Sequence, residues 1–262
     1  MLMKLTLGIS HKMYFGYHQT KEWCDQVAEI LHIHPLMNCA ESISLFTLPS
    51  AMTIVEAISS FSGTNMQVGI QNIAPDSQGP WTGENSPLMA SEVGCKYAEI
   101  GHAERRNYFH ENEDLIIQKI KVSLKNQLTP IICIGEKEKM APKEAERFAI
   151  QEVESILSSL HEDAFSNELI FAWEPQWAIG APRPASIDYI QEVCMALRTQ
   201  LGKYNKNHSV IYGGSAGKNL LSQLWPYVDG LFLGRFAHDP SMMKIILDEA
   251  WAILTPNMGE KK

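Results

Sequence analysis

Three side chains suited to moving a proton on an anionic substrate stand far apart in this chain: Lys12, His102 and Glu174. Glu174 ends the apolar run 169–173 and precedes Pro175, with Trp173 and Trp177 close by. A carboxylate at the end of a buried strand loses water, and desolvation moves a carboxyl pKa toward the range where a general base works well. The plainer alternative is a structural ion pair at the rim of a sheet. His102 stands in Gly101-His102-Ala103-Glu104-Arg105-Arg106, where a strand should end and a short helix begin. A helix N-terminus favours the neutral imidazole, which can donate a hydrogen bond to a carbonyl. Against that stand a capping or core histidine and, for Glu104, Arg105 and Arg106, a solvated ion-pair cluster. Lys12 either faces solvent or points a cation into a cavity. Tyr212-Gly213-Gly214-Ser215-Ala216-Gly217 brings glycines that permit close approach of backbone to an anion. It is not a P-loop: Tyr212 stands where the first Gly is needed, and Asn219 follows Lys218 in place of Ser or Thr.

A repeated rhythm of short apolar runs and longer amphipathic segments accounts for how such distant residues could meet. The runs are 4–8, 43–49, 66–73, 97–101, 130–135, 169–175, 210–214 and 229–234, eight candidate strands. Helical patterns fill 20–31, 114–126, 143–160, 187–201 and 240–254. Ile131-Ile132-Cys133-Ile134 is continuously apolar, as a strand buried on both faces must be. Repeated strand-then-helix units imply a parallel sheet. Eight of them in 262 residues, without a break in composition, predict an α/β (β/α)8 barrel forming a single domain over 1–262. An open doubly wound sheet is the alternative, but the first run leads into Ile9-Ser10-His11-Lys12 without G-x-G-x-x-G. Barrel sites lie at the C-terminal ends of the strands. There the chain sets Lys12, Asn72, His102, Glu174, Ser215 and Arg235.

Charge and composition narrow the partners. Thirty acidic against twenty-two basic residues give a net charge of −8, which disfavours nucleic acid, so an anionic substrate needs a local positive field. The chain has no apolar run of membrane-spanning length and no recognisable secretory signal, and its five scattered cysteines lack a C-x-x-C pair. A cytoplasmic protein with free thiols is expected. His32 and His34 are two apart, a spacing that no helix places on one face, so a zinc site is not expected. Met242 and Met243 read as packing residues, and the tail 256–262 as frayed.

The chain resembles triosephosphate isomerase along nearly its whole length. The resemblance rests on His11-Lys12-Met13, Val68-Gly69-Ile70-Gln71-Asn72, Trp81-Thr82-Gly83-Glu84, Gly101-His102-Ala103-Glu104-Arg105-Arg106, Cys133-Ile134-Gly135-Glu136, Trp173-Glu174-Pro175-Gln176-Trp177-Ala178-Ile179-Gly180 and Tyr212-Gly213-Gly214-Ser215. It implies an isomerase of small anionic sugar phosphates in carbohydrate metabolism, working through an enediolate with no metal or cofactor. Lys12 would be the electrostatic anchor, His102 the electrophile and Glu174 the base, with Glu104 in support, a pairing of neutral His with a Glu base that the resemblance implies. It also implies a lid of Pro175, Gln176, Trp177, Ala178, Ile179, Gly180 and Ala181, and a phosphate held by backbone at Gly180, Ser215 and Gly234. A homodimer docked through the loop Gly79-Pro80-Trp81-Thr82-Gly83-Glu84 follows as well.

Four positions depart from the family pattern. Ser10 stands for the usual Asn, leaving more room near the substrate, and Ala103 for the usual Ser. Ala181-Pro182-Arg183-Pro184-Ala185 replaces the usual small hinge, and two prolines restrict its backbone. Arg235 stands where a second phosphate-binding Gly is usual, and either adds a cation to the phosphate site or turns outward to an ion pair. Ser10 with Gly234-Arg235 is similar to the branch that isomerises L-erythrulose 1-phosphate. A barrel that binds sugar phosphates without turning them over is the remaining alternative, prompted by Ser10 and Ala103.

Overall fold

The computed structural model describes residues 4–255, so the tail 256–262 lies outside the described residues. Eight strands form a closed parallel barrel in sequence order: β1 (Leu5–Ser10), β2 (Ile43–Leu48), β3 (Met66–Ile70), β4 (Tyr97–Ile100), β5 (Thr129–Ile134), β6 (Ile170–Trp173), β7 (Ser209–Tyr212) and β8 (Gly230–Leu233). β8 closes on β1 with Thr6 opposite Gly230 and Ile9 opposite Leu233. The expected first strand ended at Gly8; β1 runs two residues further, so Ser10 pairs with Leu48 inside the sheet. The expected third strand ran to Ile73, but β3 stops at Ile70, where polar Gln71 and Asn72 leave the ladder.

Side chains alternate across a strand, so each strand feeds two cores. Phe46, Leu48, Ile131, Cys133, Ile170, Ala172, Ile211 and Phe232 fill the barrel itself. The alternate residues, such as Leu7, Ile9, Val68, Ile100 and Ile132, pack under the helices. Gly8 is required by this packing: a Cβ there would lie 2.2 Å from Phe46 Cζ. Burying a side chain such as Phe46 contributes about 1.5–3 kcal/mol.

The helices are α1 (Tyr17–Ile33), α2 (Ile54–Ser60), α3 (Pro87–Val93), α4 (Ala103–Tyr108), α5 (Glu113–Lys125), α6 (Pro142–Leu160), α7 (Asp163–Ser166), α8 (Ile187–Leu201), α9 (Leu220–Leu224) and α10 (Pro240–Leu254). In α1, Thr20, Trp23, Cys24, Val27, Ala28 and Leu31 form one buried stripe at three- and four-residue spacing. Starts are set chemically: Asn112 accepts from the Leu115 N–H, Asp239 from the Ser241 N–H, and Pro142 and Pro240 open α6 and α10. Met243 is buried on α10. Among the described residues, no helix is long and apolar enough to cross a membrane.

Candidate active site

A cavity of about 680 Å³ opens at the C-terminal ends of the strands, lined among others by Ser10, Lys12, Glu104, Glu174, Ser215 and Gly234. Each polar group is delivered by the end of a different strand. Lys12 follows β1 in a left-handed conformation (φ 48°). Gln71 Nε2 clamps that turn, donating to the carbonyls of Lys12 and Leu48 at 2.9 Å each. The ammonium of Lys12 donates to Glu104 Oε1 at 2.9 Å. Burial works against its charge, but the hydrogen bond to Glu104 and the negative fields of Glu174, Glu104 and Glu99 outweigh it, holding its pKa above the usual value. Lys12 is therefore a fixed cation at the cavity wall.

His102 caps α4, its Nδ1 accepting the Glu104 N–H at 3.1 Å. With Nδ1 an acceptor, the neutral ring carries its proton on Nε2. Nε2 lies 3.6 Å from Glu174 Oε2, and neither atom has a hydrogen-bond partner. Two buried polar atoms left unpaired beside a cavity form a donor and an acceptor ready for a third molecule. Glu174 follows β6, with its N–H bonded to the Ile134 carbonyl at 2.8 Å and its side chain buried. Gly213 makes room for it: a Cβ there would lie 2.5 Å from Glu174 Cγ and Oε1. Burial first, then the charges of Glu174 and Glu99, push the Cys133 thiol pKa well up. The thiol stays protonated.

Gly180, Ser215, Gly234 and Arg235 line the side of the cavity built from the loops after β6, β7 and β8. Ser215 adopts a left-handed conformation (φ 57°), and its hydroxyl donates to the carbonyls of Ala178 (2.9 Å) and Ala181 (2.7 Å). Its side chain thus ties the segment 175–181 to the following loop, leaving backbone to meet an anion. Arg235 Nη2 donates to the Gly180 carbonyl at 3.4 Å, so the guanidinium stays at the cavity edge. Of the segment itself, Gln176, Ile179, Gly180 and Ala181 line the cavity. Pro175 and Ala178 are buried, and Trp177 Nε1 anchors on Glu136 Oε1 at 2.9 Å. Glu136 also accepts from Tyr189 (2.9 Å) and Trp173 (3.3 Å). At the far end the Ala185 N–H donates to Tyr212 Oη at 3.1 Å.

Several expectations fare differently. Asn72 is not at the cavity: its amide bonds Glu84 (2.8 Å) and Lys119 (2.7 Å), bracing the loop 79–84. The cluster Glu104, Arg105 and Arg106 is not solvated as a unit. Arg105 pairs with buried Glu111, while Arg106 pairs with Glu152 (2.8 Å) and donates to the carbonyls of Gly101 (2.6 Å) and Cys133 (2.8 Å). The sequence pattern alone assigns no role to Glu99, Gln71 or Glu136. Glu99 could have been noticed as the one carboxylate inside the run Tyr97-Ala98-Glu99-Ile100. Burial pushes its pKa up to about 7, aided by Glu174 and opposed by His102, Lys12 and a hydrogen bond from Ser10.

Residues 5–250 match the family described as triosephosphate isomerase. A protein of Pectobacterium atrosepticum named L-erythrulose-1-phosphate isomerase is 44% identical over 254 residues, covering 95% of this chain and 97% of that protein. A protein of Listeria monocytogenes named probable triosephosphate isomerase 2 is 35% identical, covering 91% and 94% respectively. One from Brucella abortus, also named L-erythrulose-1-phosphate isomerase, is 37% identical over 74% of this chain and 78% of its own.

Proposed function

This chain belongs to the triosephosphate isomerase family of sugar-phosphate isomerases, and from that premise we propose that its substrate is a four-carbon ketose phosphate, L-erythrulose 1-phosphate. The observation that carries the four-carbon reading is Ser10, a short side chain on the cavity wall where the family pattern has Asn. A side chain shorter by an amide group leaves space for a further carbon. The name of the Pectobacterium relative supports the same reading.

In this reading the phosphate sits against Gly180, Ser215 and Gly234, with Arg235 adding positive charge at the edge. The Glu174 carboxylate takes the proton from the hydroxyl-bearing carbon C3 beside the C2 carbonyl. The C–H electrons become a C2–C3 double bond, and the carbonyl electrons move onto O2. His102 Nε2–H and the Lys12 ammonium stabilise that oxyanion, as preorganised donors aimed at developing charge do. A proton passes from the C3 hydroxyl to O2, and protonated Glu174 returns its proton to C2. With a triose these steps give an aldehyde. With L-erythrulose 1-phosphate they move the ketone to C3, giving the ketose 4-phosphate. The lid segment 175–181 excludes water, which keeps the enediolate from expelling phosphate.

Comparing kcat/KM for L-erythrulose 1-phosphate and dihydroxyacetone phosphate tests the substrate. A tetrulose preference is expected; a tenfold preference for the triose contradicts it. The protein works in this reading as a cytoplasmic homodimer. Supporting this are five free thiols and the exposed Met13, Tyr14 and Trp81 on the loops around the cavity and 79–84. Light scattering at twice the chain mass is expected, and a monomer would contradict the dimer.

A further inference from the structure

Ser10 and Glu99 form a polar pair beneath the cavity that the proton transfer leaves unused. Strand alternation puts both inside the barrel. On β1, Ile9 packs with the outer core while Gly8 faces the ring of Phe46, so Ser10 turns inward with Gly8. On β4, Ala98 and Ile100 belong to the outer core and Tyr97 packs on the inner one, so Glu99 turns inward with Tyr97. Ser10 lines the cavity, and its Oγ donates to Glu99 Oε2 at 3.2 Å. Glu99 is only 4% exposed, and Lys12 gives its hydrogen bond to Glu104 rather than to Glu99. A carboxyl turned into the barrel opposite Ile131 is costly to bury.

We propose that Ser10 and Glu99 together read the terminal hydroxyl of a four-carbon substrate, Ser10 touching it and Glu99 orienting the Ser10 hydroxyl. This rests on the tetrulose reading above and deepens it. A serine hydroxyl has one proton and two lone pairs. With the proton directed at Glu99, the oxygen presents only acceptor sites to the cavity, so it accepts from a substrate hydroxyl. In the tetrulose reading the phosphate end sits at Gly180, Ser215 and Gly234, which line one side of the cavity, with the reacting carbon beside Glu174. A hydroxymethyl group on that carbon points away from the phosphate, toward the strand ends of β1 and β4. Dihydroxyacetone phosphate has only hydrogen at that position and leaves the Ser10 oxygen without its partner. Glu99 acts through Ser10 and is a positioning residue.

The test pairs a residue change with a substrate change. L-erythrulose 1-phosphate is compared with its 4-deoxy analogue, in which a methyl replaces the hydroxymethyl group. Wild type should favour the hydroxylated substrate by tenfold or more in kcat/KM, as sites built to bond a hydroxyl do. Ser10→Ala should bring the two substrates within about threefold of each other, whatever its absolute rate, and Glu99→Leu should do the same. The double variant should lower the ratio no further than either single one, because the pair acts as one unit. A Ser10→Ala enzyme that discriminates as wild type does overturns this inference alone. A wild type that does not turn over L-erythrulose 1-phosphate overturns the tetrulose reading and this inference with it. Ser10→Ala removes one hydroxyl and leaves the ratio measurable even if Glu99→Leu fails to fold.

Discussion

Replacing Glu99 by Gln should stabilise the protein in a pH-dependent way. In the folded chain burial raises this carboxyl from 4.5 to about 7. The folded state therefore holds a proton between those values that the unfolded chain releases, and stability falls as pH rises through that window. At 1.36 kcal/mol per pKa unit, a difference of roughly 2.5 units makes the penalty about 3 kcal/mol above neutral pH. Gln keeps the shape and an oxygen able to accept from Ser10, but carries no charge. Urea unfolding at pH 4.5 and pH 8 reads the effect. The gain of Glu99→Gln over wild type should be small at pH 4.5 and grow by about 3 kcal/mol by pH 8. A gain that is absent, or equal at both pH values, would refute the claim that Glu99 is a charge held in the barrel at the expense of stability.

Gly213→Ala should cut kcat by about 10²-fold or more while the protein stays folded, because the new methyl meets Glu174 Cγ and Oε1 at 2.5 Å and displaces the base; steady-state kinetics with thermal unfolding checks both halves. Arg235→Ala should lower kcat/KM for the phosphorylated substrate by about fivefold at low salt and less at high salt, since an exposed cation is worth up to about 1 kcal/mol and is screened; a salt series reads it. Lys119→Ala should destabilise by about 1–3 kcal/mol, because the buried amide oxygen of Asn72 loses its donor while Glu111 loses one of two cations and keeps Arg105; denaturant unfolding measures it.

The barrel could be read from the sequence because strands buried on both faces leave continuous apolar runs, and all eight fell where strands form. Beyond the short helix expected after His102, helices such as α2, α3 and α9 could not: each has seven residues or fewer, less than two full turns of any 3.6-residue pattern. Lys12, His102 and Glu174 were visible as polar residues following apolar runs. Asn72 fits the same rule yet turns away, because Gln71, one residue earlier, leaves β3 on the cavity side and bonds the Lys12 carbonyl. Which neighbour faces inward depends on where a strand stops, and strand ends are the least legible feature of a sequence. Glu99 stayed hidden for a related reason. Its inward direction follows from the register of β4 against β5, Glu99 opposite Ile131, and its partner Ser10 is eighty-nine residues away.

The central claim, that Glu174 carries a proton between neighbouring carbons of a sugar phosphate, is tested most directly by running the reaction in heavy water. Wild type should deliver product with solvent deuterium on the carbon that gains hydrogen, and Glu174→Gln should lose that exchange together with about 10²–10⁴-fold in turnover. Undiminished turnover in Glu174→Gln, or exchange in that variant equal to that of wild type, would contradict it.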